Sequence, residues 1–177
     1  MNNKYKIIGG LVSALFLVTL IVQATQGEEE FAPKVTPPKD MENRSMWMEL
    51  IEKWDIPSTS EVEVPAYPGA FIVAFAPASW MEANGVKSET FPSIVLATSD
   101  DRAKVTAFYT EKLKDWKYKN SMNMFDVFWT GRDEFNSMDI TQAAVTSNVN
   151  IMDAMSIHTD YMPDAKTAIT IVYKPGK

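Results

Sequence analysis

The sequence predicts an α+β domain in which a mainly antiparallel sheet of about five strands packs against one principal amphipathic helix. Five short segments rich in β-branched and aromatic residues have the length and pattern of strands. One longer segment, residues 98–116, instead repeats its apolar side chains at steps of three and four, as helices do. Because short connections join the strands, we expect antiparallel pairing, with the lone helix crossing one face of the sheet.

The N-terminal residues have the layout of a secretion signal. Lys4 and Lys6 precede an uncharged apolar run over residues 7–22, and small residues lie at the positions that signal peptidase reads. We therefore predict a signal peptide over residues 1–24, cleaved after Ala24, and a periplasmic or secreted domain. The alternative is a retained anchor in the inner membrane, with the domain outside the cytoplasm, although a membrane-spanning helix needs about 20 apolar residues.

Charge and composition exclude some partners. The chain has a net charge of −6, and removal of the two lysines of residues 1–24 takes it to −8. Phosphate repels an acidic chain without a basic block, so we expect no nucleic-acid partner and membrane contact only through an uncleaved N-terminus. The chain has no cysteine, so neither disulfides nor Cys-ligated zinc stabilise it.

Residues 25–39 differ in composition from the rest of the exported chain. Three consecutive glutamates and three prolines leave Phe31 and Val35 as the large apolar side chains. Such a segment buries too little surface to offset its ordering entropy, so we predict an extended tether that is dispensable for folding. The α+β domain is predicted to span residues 40–177 and to begin with a short helix over residues 40–54.

The remaining predicted elements follow in order along that domain. A turn cluster over residues 65–70 precedes the first strand, and the principal helix joins the second strand to the third. Residues 77–90 are predicted to form a connection with a turn, and residues 132–146 a loop with a short helix. The predicted strands cover residues 71–76, 91–98, 124–130, 149–157 and 168–173.

The principal helix has one apolar stripe and one charged side. Ser99 or Asp100 is placed to cap its first turn. Lysines near its other end oppose the negative pole of the helix dipole. The stripe, which we expect to lie against the sheet, consists of Val105, Phe108, Tyr109, Leu113 and Trp116.

Four short motifs carry a resemblance to other proteins. They are Val-Pro-Ala-Tyr-Pro-Gly-Ala at 64–70, Thr-Ser-Asp-Asp at 98–101, Val-Thr-Ala-Phe-Tyr at 105–109 and Ile-Thr-Ile-Val-Tyr-Lys at 169–174. Over residues 64–175 the chain resembles small exported bacterial proteins of unknown function, in which a Tyr-Pro-Gly-Ala turn precedes a sheet and a Val-x-x-Phe-Tyr helix packs on it. The resemblance implies export and this fold, and it assigns no functional residue.

The sequence offers little support for an enzyme. His158 is the only histidine and no Gly-x-Ser-x-Gly turn occurs, so we expect His158 to face solvent at the end of a strand. Paired carboxylates support glycoside hydrolysis, but in an acidic chain we expect the acids on predicted strands to face outward. The candidate acids are Asp126, Asp133, Glu134, Asp139 and Asp153.

Closely spaced methionines are a less ordinary feature of this chain. Thioether and imidazole ligands select Cu(I) or Ag(I), and Met-x-Met near a histidine suits a copper carrier that lacks cysteine. Methionine also fills irregular gaps in protein cores, which is its commoner role. The candidate metal ligands are Met46, Met48, Met122, Met124, Met152, Met155 and His158.

These observations favour a non-catalytic bacterial envelope protein that binds an envelope protein partner or a small ligand and needs no cofactor. A periplasmic Cu(I) or Ag(I) binder is the alternative, and a carboxylate-based hydrolase is a more distant one. Titration of the exported chain with Cu(I) under reducing conditions separates the first two hypotheses.

Overall fold

The computed structural model describes residues 30–36, 55–83, 85–121 and 123–175. The predicted signal segment 1–24, the predicted helix 40–54 and the candidate ligands Met46, Met48 and Met122 lie outside the described residues. Within these four ranges, no helix combines the length and the apolar character that crossing a bilayer requires.

The described residues form eight strands and three helices. The strands are β1 (Phe71–Ala76), β2 (Ser79–Ala83), β3 (Val86–Thr90), β4 (Ser93–Thr98), β5 (Lys117–Ser121), β6 (Phe125–Trp129), β7 (Asn148–Asp153) and β8 (Thr167–Val172). The helices are α1 (Arg102–Lys112), α2 (Ile140–Ala144) and α3 (Ser156–Thr159).

Six strands form one sheet with the order β1-β4-β8-β7-β6-β5, and every neighbouring pair in it runs antiparallel. Strands β2 and β3 form a separate antiparallel hairpin. The predicted α+β class with a mainly antiparallel sheet is therefore confirmed. The strand count differs from the prediction, because residues 77–90 contain the hairpin and β5 is an additional strand. These strands are largely exposed and polar, so they lack the apolar alternation by which the others were recognised.

Helix α1 packs on one face of the sheet through its predicted apolar stripe. Val105, Tyr109 and Leu113 are buried, and Phe108 and Trp116 are half-buried. This packing confirms the predicted phase of the helix. The stripe contacts a core formed by side chains of the four inner strands, namely Ile94, Leu96, Ile169, Ile171, Val149, Ile151 and Phe128.

The start of α1 differs from the prediction, because neither Ser99 nor Asp100 occupies the cap position. Asp101 precedes the helix, and its side chain makes no capping hydrogen bond. The Asp100 carboxylate instead accepts a hydrogen bond of 2.7 Å from the Tyr67 hydroxyl and one of 2.8 Å from Lys104. These bonds, that of Lys104 first, hold the pKa of Asp100 below its usual value. Asp100 therefore joins the turn at Tyr67 to α1, a contact between distant residues that local capping rules do not include.

Residues 30–36 pack on the domain, so the prediction of an unpacked tether over residues 25–39 is wrong for this part. Phe31 is only 4% exposed and joins the core under α1, while Val35 is buried with side chains of the opposite sheet face. The Val35 N–H donates to the Ile72 carbonyl at 3.0 Å, and the Ile72 N–H donates to the Pro33 carbonyl at 2.8 Å. The segment thus runs parallel to β1. Prolines remove donors only at their own positions, so the residues between them are still able to pair with a sheet edge.

Candidate functional site

A buried carboxylate connects α1 to the edge strand β5. Asp126 lies on β6 and is 5% exposed. Its Oδ1 accepts hydrogen bonds from the Tyr118 hydroxyl at 2.7 Å and from the Asn120 amide at 2.9 Å, both on β5. Its Oδ2 accepts from the Thr106 hydroxyl of α1 at 3.1 Å and lies 3.4 Å from Arg102 Nε. Groups from α1 and β5 therefore converge on one carboxylate.

Arg102 extends this network to β7 and to the turn between β5 and β6. Its Nη1 donates to the Asp153 carboxylate at 3.2 Å and to the Met124 carbonyl at 3.0 Å. Its Nη2 donates to the Asn123 carbonyl at 3.0 Å. Asn123 has a φ of 56°, a left-handed conformation that asparagine adopts more readily than most residues. The guanidinium therefore holds this turn and the end of β7 against α1.

The network keeps Asp126 ionised. Burial by itself raises the pKa of the carboxyl, but hydrogen bonds from three neighbours and the charge of Arg102 outweigh it, so the pKa of Asp126 lies below its usual value. Burial, followed by the hydrogen bond to Asp126, raises the pKa of Tyr118 to about 12, so its hydroxyl remains a donor at neutral pH. A carboxyl group that acts as a general acid needs a raised pKa, whereas the pKa of Asp126 is lowered. The contacts of Asp126 with Tyr118 and Asn120 are those of a structural anchor that holds β5 in place.

An open depression of about 630 Å³ lies beside this network. Arg102, Asp126 and Asp153 line its polar side. Ala103 and Ala107, one turn apart on α1, line its apolar side, where their small side chains leave free space above the helix. The depression is thus bordered by α1, by β6 at Asp126 and by the end of β7 at Asp153.

The structure separates most of the candidate acids. Only Asp126 and Asp153 share a network, through one guanidinium. Asp133 forms an exposed ion pair of 2.7 Å with the first lysine of β5, Glu134 is exposed, and Asp139 accepts from two backbone N–H groups at the start of α2. The expectation that Asp126 faces outward is wrong, because it turns toward α1 and finds enough partners there to be buried as an anion.

Met155 and His158 contact each other at the start of α3. The expectation that His158 faces solvent at a strand end is wrong, since β7 ends at Asp153 and His158 is 8% exposed. His158 Nδ1 accepts the backbone N–H of Met155 at 3.0 Å, and the Met155 thioether accepts the backbone N–H of His158. Burial lowers the pKa of His158. Both side chains thus have local partners.

The other described candidate metal ligands are Met124 and Met152. They lie at the same end of the β6–β7 pair, because Phe125, which follows Met124, pairs with Met152. Met124 is exposed and Met152 is half-buried. Among the described His, Asp and Glu side chains, no group of three is arranged to hold a metal ion.

Strand β5 has an open outer edge. It pairs with β6 on one side, and no strand in the described part of the chain pairs with its other side. All its residues except Ser121 are exposed. Tyr118, 49% exposed, faces the α1 side, so Lys117 and Lys119 face the opposite side. Lys117 is paired with Asp133 at 2.7 Å, whereas Lys119 makes no ion pair with any described residue.

Asp126 and Asp153 were among the candidate acids, but their partners Arg102, Thr106, Tyr118 and Asn120 were not among the predicted site residues. Arg102 and Thr106 lie on the charged side of α1, and nothing local indicates which distant partner each contacts. The sequence contains one signal for β5. Tyr118 and Asn120 lie at alternate positions and are followed by a turn at Asn123, and this pattern indicates a short hairpin.

In comparisons with protein-family models, curated protein sequences and solved structures, the chain matches none of them. The function is therefore argued from the residues of this chain.

Proposed function

We propose that this chain is an exported, non-catalytic bacterial envelope protein whose single α+β domain binds a protein partner along the edge strand β5. The observation that carries the proposal is the outer edge of β5, whose outward backbone N–H and C=O groups have no strand partner among the described residues. Exposed strand edges are sites at which another chain adds a strand, and proteins usually protect those that they do not use.

The network around Asp126 supports this proposal. Its contacts with Tyr118 and Asn120 fix two of the five residues of β5 from the α1 side. A strand held in this way loses little further freedom when a partner pairs with it, and such preorganisation favours binding. The ionised state of Asp126, its occupied oxygens and the separate partners of Asp133 and Asp139 favour binding over carboxylate catalysis.

Export of the domain is supported by the N-terminal sequence and by the resemblance described above. Fractionation of the envelope followed by mass spectrometry tests it. We expect a chain that begins near Thr25. Recovery of the intact chain from washed membranes establishes the retained anchor instead.

Site-specific photo-crosslinking in cells tests the binding surface. A benzoylphenylalanine at position 121 of β5, which leaves Lys119 in place, is compared with one at position 82 of β2, which is exposed and belongs to the separate hairpin. We expect a discrete adduct from position 121 alone, and we expect the purified partner to protect β5 amides from hydrogen exchange. Identical adducts from both positions, or none from position 121, contradict the proposal.

A soft-metal binder is the second candidate, and the contact between Met155 and His158 favours it. Met155 is 51% exposed, so its thioether is accessible. The hydrogen bond at His158 Nδ1 leaves only Nε2 of the ring for a metal. Titration with Cu(I) under reducing conditions should then show binding that Met155→Leu weakens. Binding that this substitution leaves unchanged contradicts the candidate.

A further inference from the structure

We infer that the partner of β5 is an extended peptide with carboxylates at alternate positions, which adds to the sheet so that these carboxylates lie beside Lys119. The inference rests on the function proposed above and specifies the chemistry of its partner. Its basis is the combination of an open strand edge, a local excess of positive charge and an alternation of side chains that distinguishes the two faces of β5.

The charge around β5 is opposite to that of the whole protein. Strand β5 itself carries two lysines, Lys117 and Lys119, and no acidic residue, in a chain whose net charge is −6. Asp126 and Asp153, on the α1 side, share the single guanidinium of Arg102 and leave one net negative charge there, so the positive charge of this edge lies on the opposite side. On the opposite side, Asp133 is paired with Lys117, Lys119 makes no ion pair with a described residue, and the exposed acid Glu134 lines the same depression as Lys119. An acidic strand is therefore the electrostatic complement of this edge.

The side chains of β5 specify an alternating partner. Successive residues of a strand point to opposite faces, so a peptide paired with β5 places every second side chain on the face of Lys119, with one of them directly opposite this lysine. The other side chains lie beside Tyr118, whose hydroxyl is held by Asp126 and whose ring is half-exposed. The centroid of this ring is 4.9 Å from that of Phe128, so it continues the apolar core outward. An acidic residue facing Lys119 and an apolar residue facing Tyr118 thus match the two faces.

The same lysine argues against a second copy of this chain as the occupant. Antiparallel pairing of β5 with its own copy about its central residue places Lys119 directly opposite Lys119 of the copy. Like charges directly opposite each other on one face destabilise a strand pair. Lys119 therefore disfavours self-pairing in this register and favours an acidic strand.

Calorimetric titration of the exported chain with synthetic peptides tests this inference. The first probe is a nine-residue peptide that alternates glutamate and valine. The second replaces its glutamates by lysines. The third keeps the glutamates but carries N-methyl groups on alternate amides, which removes backbone donors. We expect the first peptide to bind and to protect β5 amides from hydrogen exchange, the second to bind about tenfold or more weakly, and the third not to bind.

Two variants with the same change in net charge test whether the effect of charge on peptide binding comes from Lys119 itself. Lys119→Glu should reverse the preference between the glutamate and lysine peptides, because it changes the charge on the edge strand itself. Lys114→Glu makes the same change in total charge at an exposed position before β5, and it should leave both affinities within about twofold. Equal effects of the two variants mean that binding follows net charge alone and overturn the inference.

The outcomes also distinguish this inference from the function proposed above. Equal protection of β5 by the glutamate and lysine peptides overturns the acidic partner while leaving strand addition in place. Failure of all three peptides, together with a specific adduct from position 121 in cells, overturns the peptide partner but not the binding surface. Failure of both experiments rejects the binding surface as well.

Discussion

The two edges of the six-stranded sheet differ in how their backbone groups are used. At the β1 edge, residues 33–36 of the same chain run parallel to the strand, and Ile72 exchanges hydrogen bonds with Pro33 and Val35. At the β5 edge, no described residue pairs with the outer side, although buried side-chain contacts hold the strand in place.

This difference indicates where the sheet is able to grow. A partner strand has to displace residues 33–36 in order to pair with β1, and that displacement also exposes Val35, which is 8% exposed in the folded chain. Pairing with β5 displaces nothing that the structure describes. The side-chain anchor of β5 maintains the strand geometry without occupying its outer backbone groups. Among the described residues, the chain thus covers the β1 edge of the sheet and leaves the outer edge of β5 without a paired strand.

The largest expected effect concerns the covered edge. Phe31→Ala should lower the free energy of unfolding by about 3–5 kcal/mol, because it removes a ring buried in the main core. The matched control is Phe71→Ala, since Phe71 lies on β1 but is 37% exposed. Urea denaturation measures both variants. If Phe31→Ala costs no more than Phe71→Ala, residues 30–36 are not part of the core and the difference between the two edges disappears.

The next effect concerns the anchor of the open edge. Asp126→Ala should lower the free energy of unfolding by about 3 kcal/mol, because it removes one member of a buried ion pair. This value is at the lower end of the usual range, because Arg102 keeps its other hydrogen-bond partners in the variant. Asp133→Ala is the control, and its fully exposed carboxylate should be dispensable for stability. Amides of β5 should also lose hydrogen-exchange protection in Asp126→Ala while those of β1 retain it. Uniform loss across the sheet argues that Asp126 supports the whole fold and not this edge in particular.

The sequence predicts those parts of the fold that depend on apolar periodicity. The buried stripe of α1 and the inner strands of the sheet follow from it, because each of these elements has to bury a face. Strand β5 is polar and exposed, and the β2–β3 hairpin exposes the apolar side chains Trp80 and Val86, so neither shows the pattern of a strand with one buried face. Residues 33–36 illustrate the same limit, since only the position of the β1 edge explains why they are ordered.

The candidate site depends even more on distant contacts. Asp126 is separated by 20 residues in sequence from Thr106, whose hydroxyl contacts it. No rule of sequence spacing links Asp126 to Thr106. The sequence therefore predicts only that an acidic residue on a strand faces solvent. His158 was misplaced for a related reason, because the alternation of residues 149–157 continues past Asp153, where the strand ends.

A pH titration tests how the segment after β7, which contains α3 and His158, contributes to the stability of the domain. Ala154 and Ala165, on either side of α3, pack in the same cluster as Val35, on the side of the sheet away from α1. Because burial holds the pKa of His158 in the folded state below its ordinary value of 6.5, the unfolded chain takes up a proton first as the pH falls. Stability should therefore be independent of His158 above pH 6.5 and decline below it, through the folded-state pKa.

Denaturant titrations between pH 7 and pH 5 measure this effect, with His158→Gln as the non-titrating control. The decline should be smaller in the variant than in the parent protein, whatever the absolute stability of the variant. Equal slopes mean that other groups cause the pH dependence. Hydrogen exchange then shows whether acid loosens the pairing of Val35 with Ile72 before that of β5 with β6.

The smallest expected change in stability concerns the open edge itself. Lys119→Val should alter the free energy of unfolding by less than about 0.5 kcal/mol, because Lys119 is exposed and makes no ion pair with a described residue. Its effect should appear in association, since the substitution removes the positive charge that opposes pairing of β5 with its own copy. Sedimentation at increasing protein concentration should show more self-association for Lys119→Val than for Lys114→Val, which removes the same charge outside the strand.

If neither variant self-associates, Lys119 is not the residue that opposes pairing of β5 with its own copy, and some other feature of the β5 edge prevents self-pairing. If Lys119→Val unfolds the domain, β5 owes its position to that lysine and not to the contacts of Tyr118 and Asn120 with Asp126.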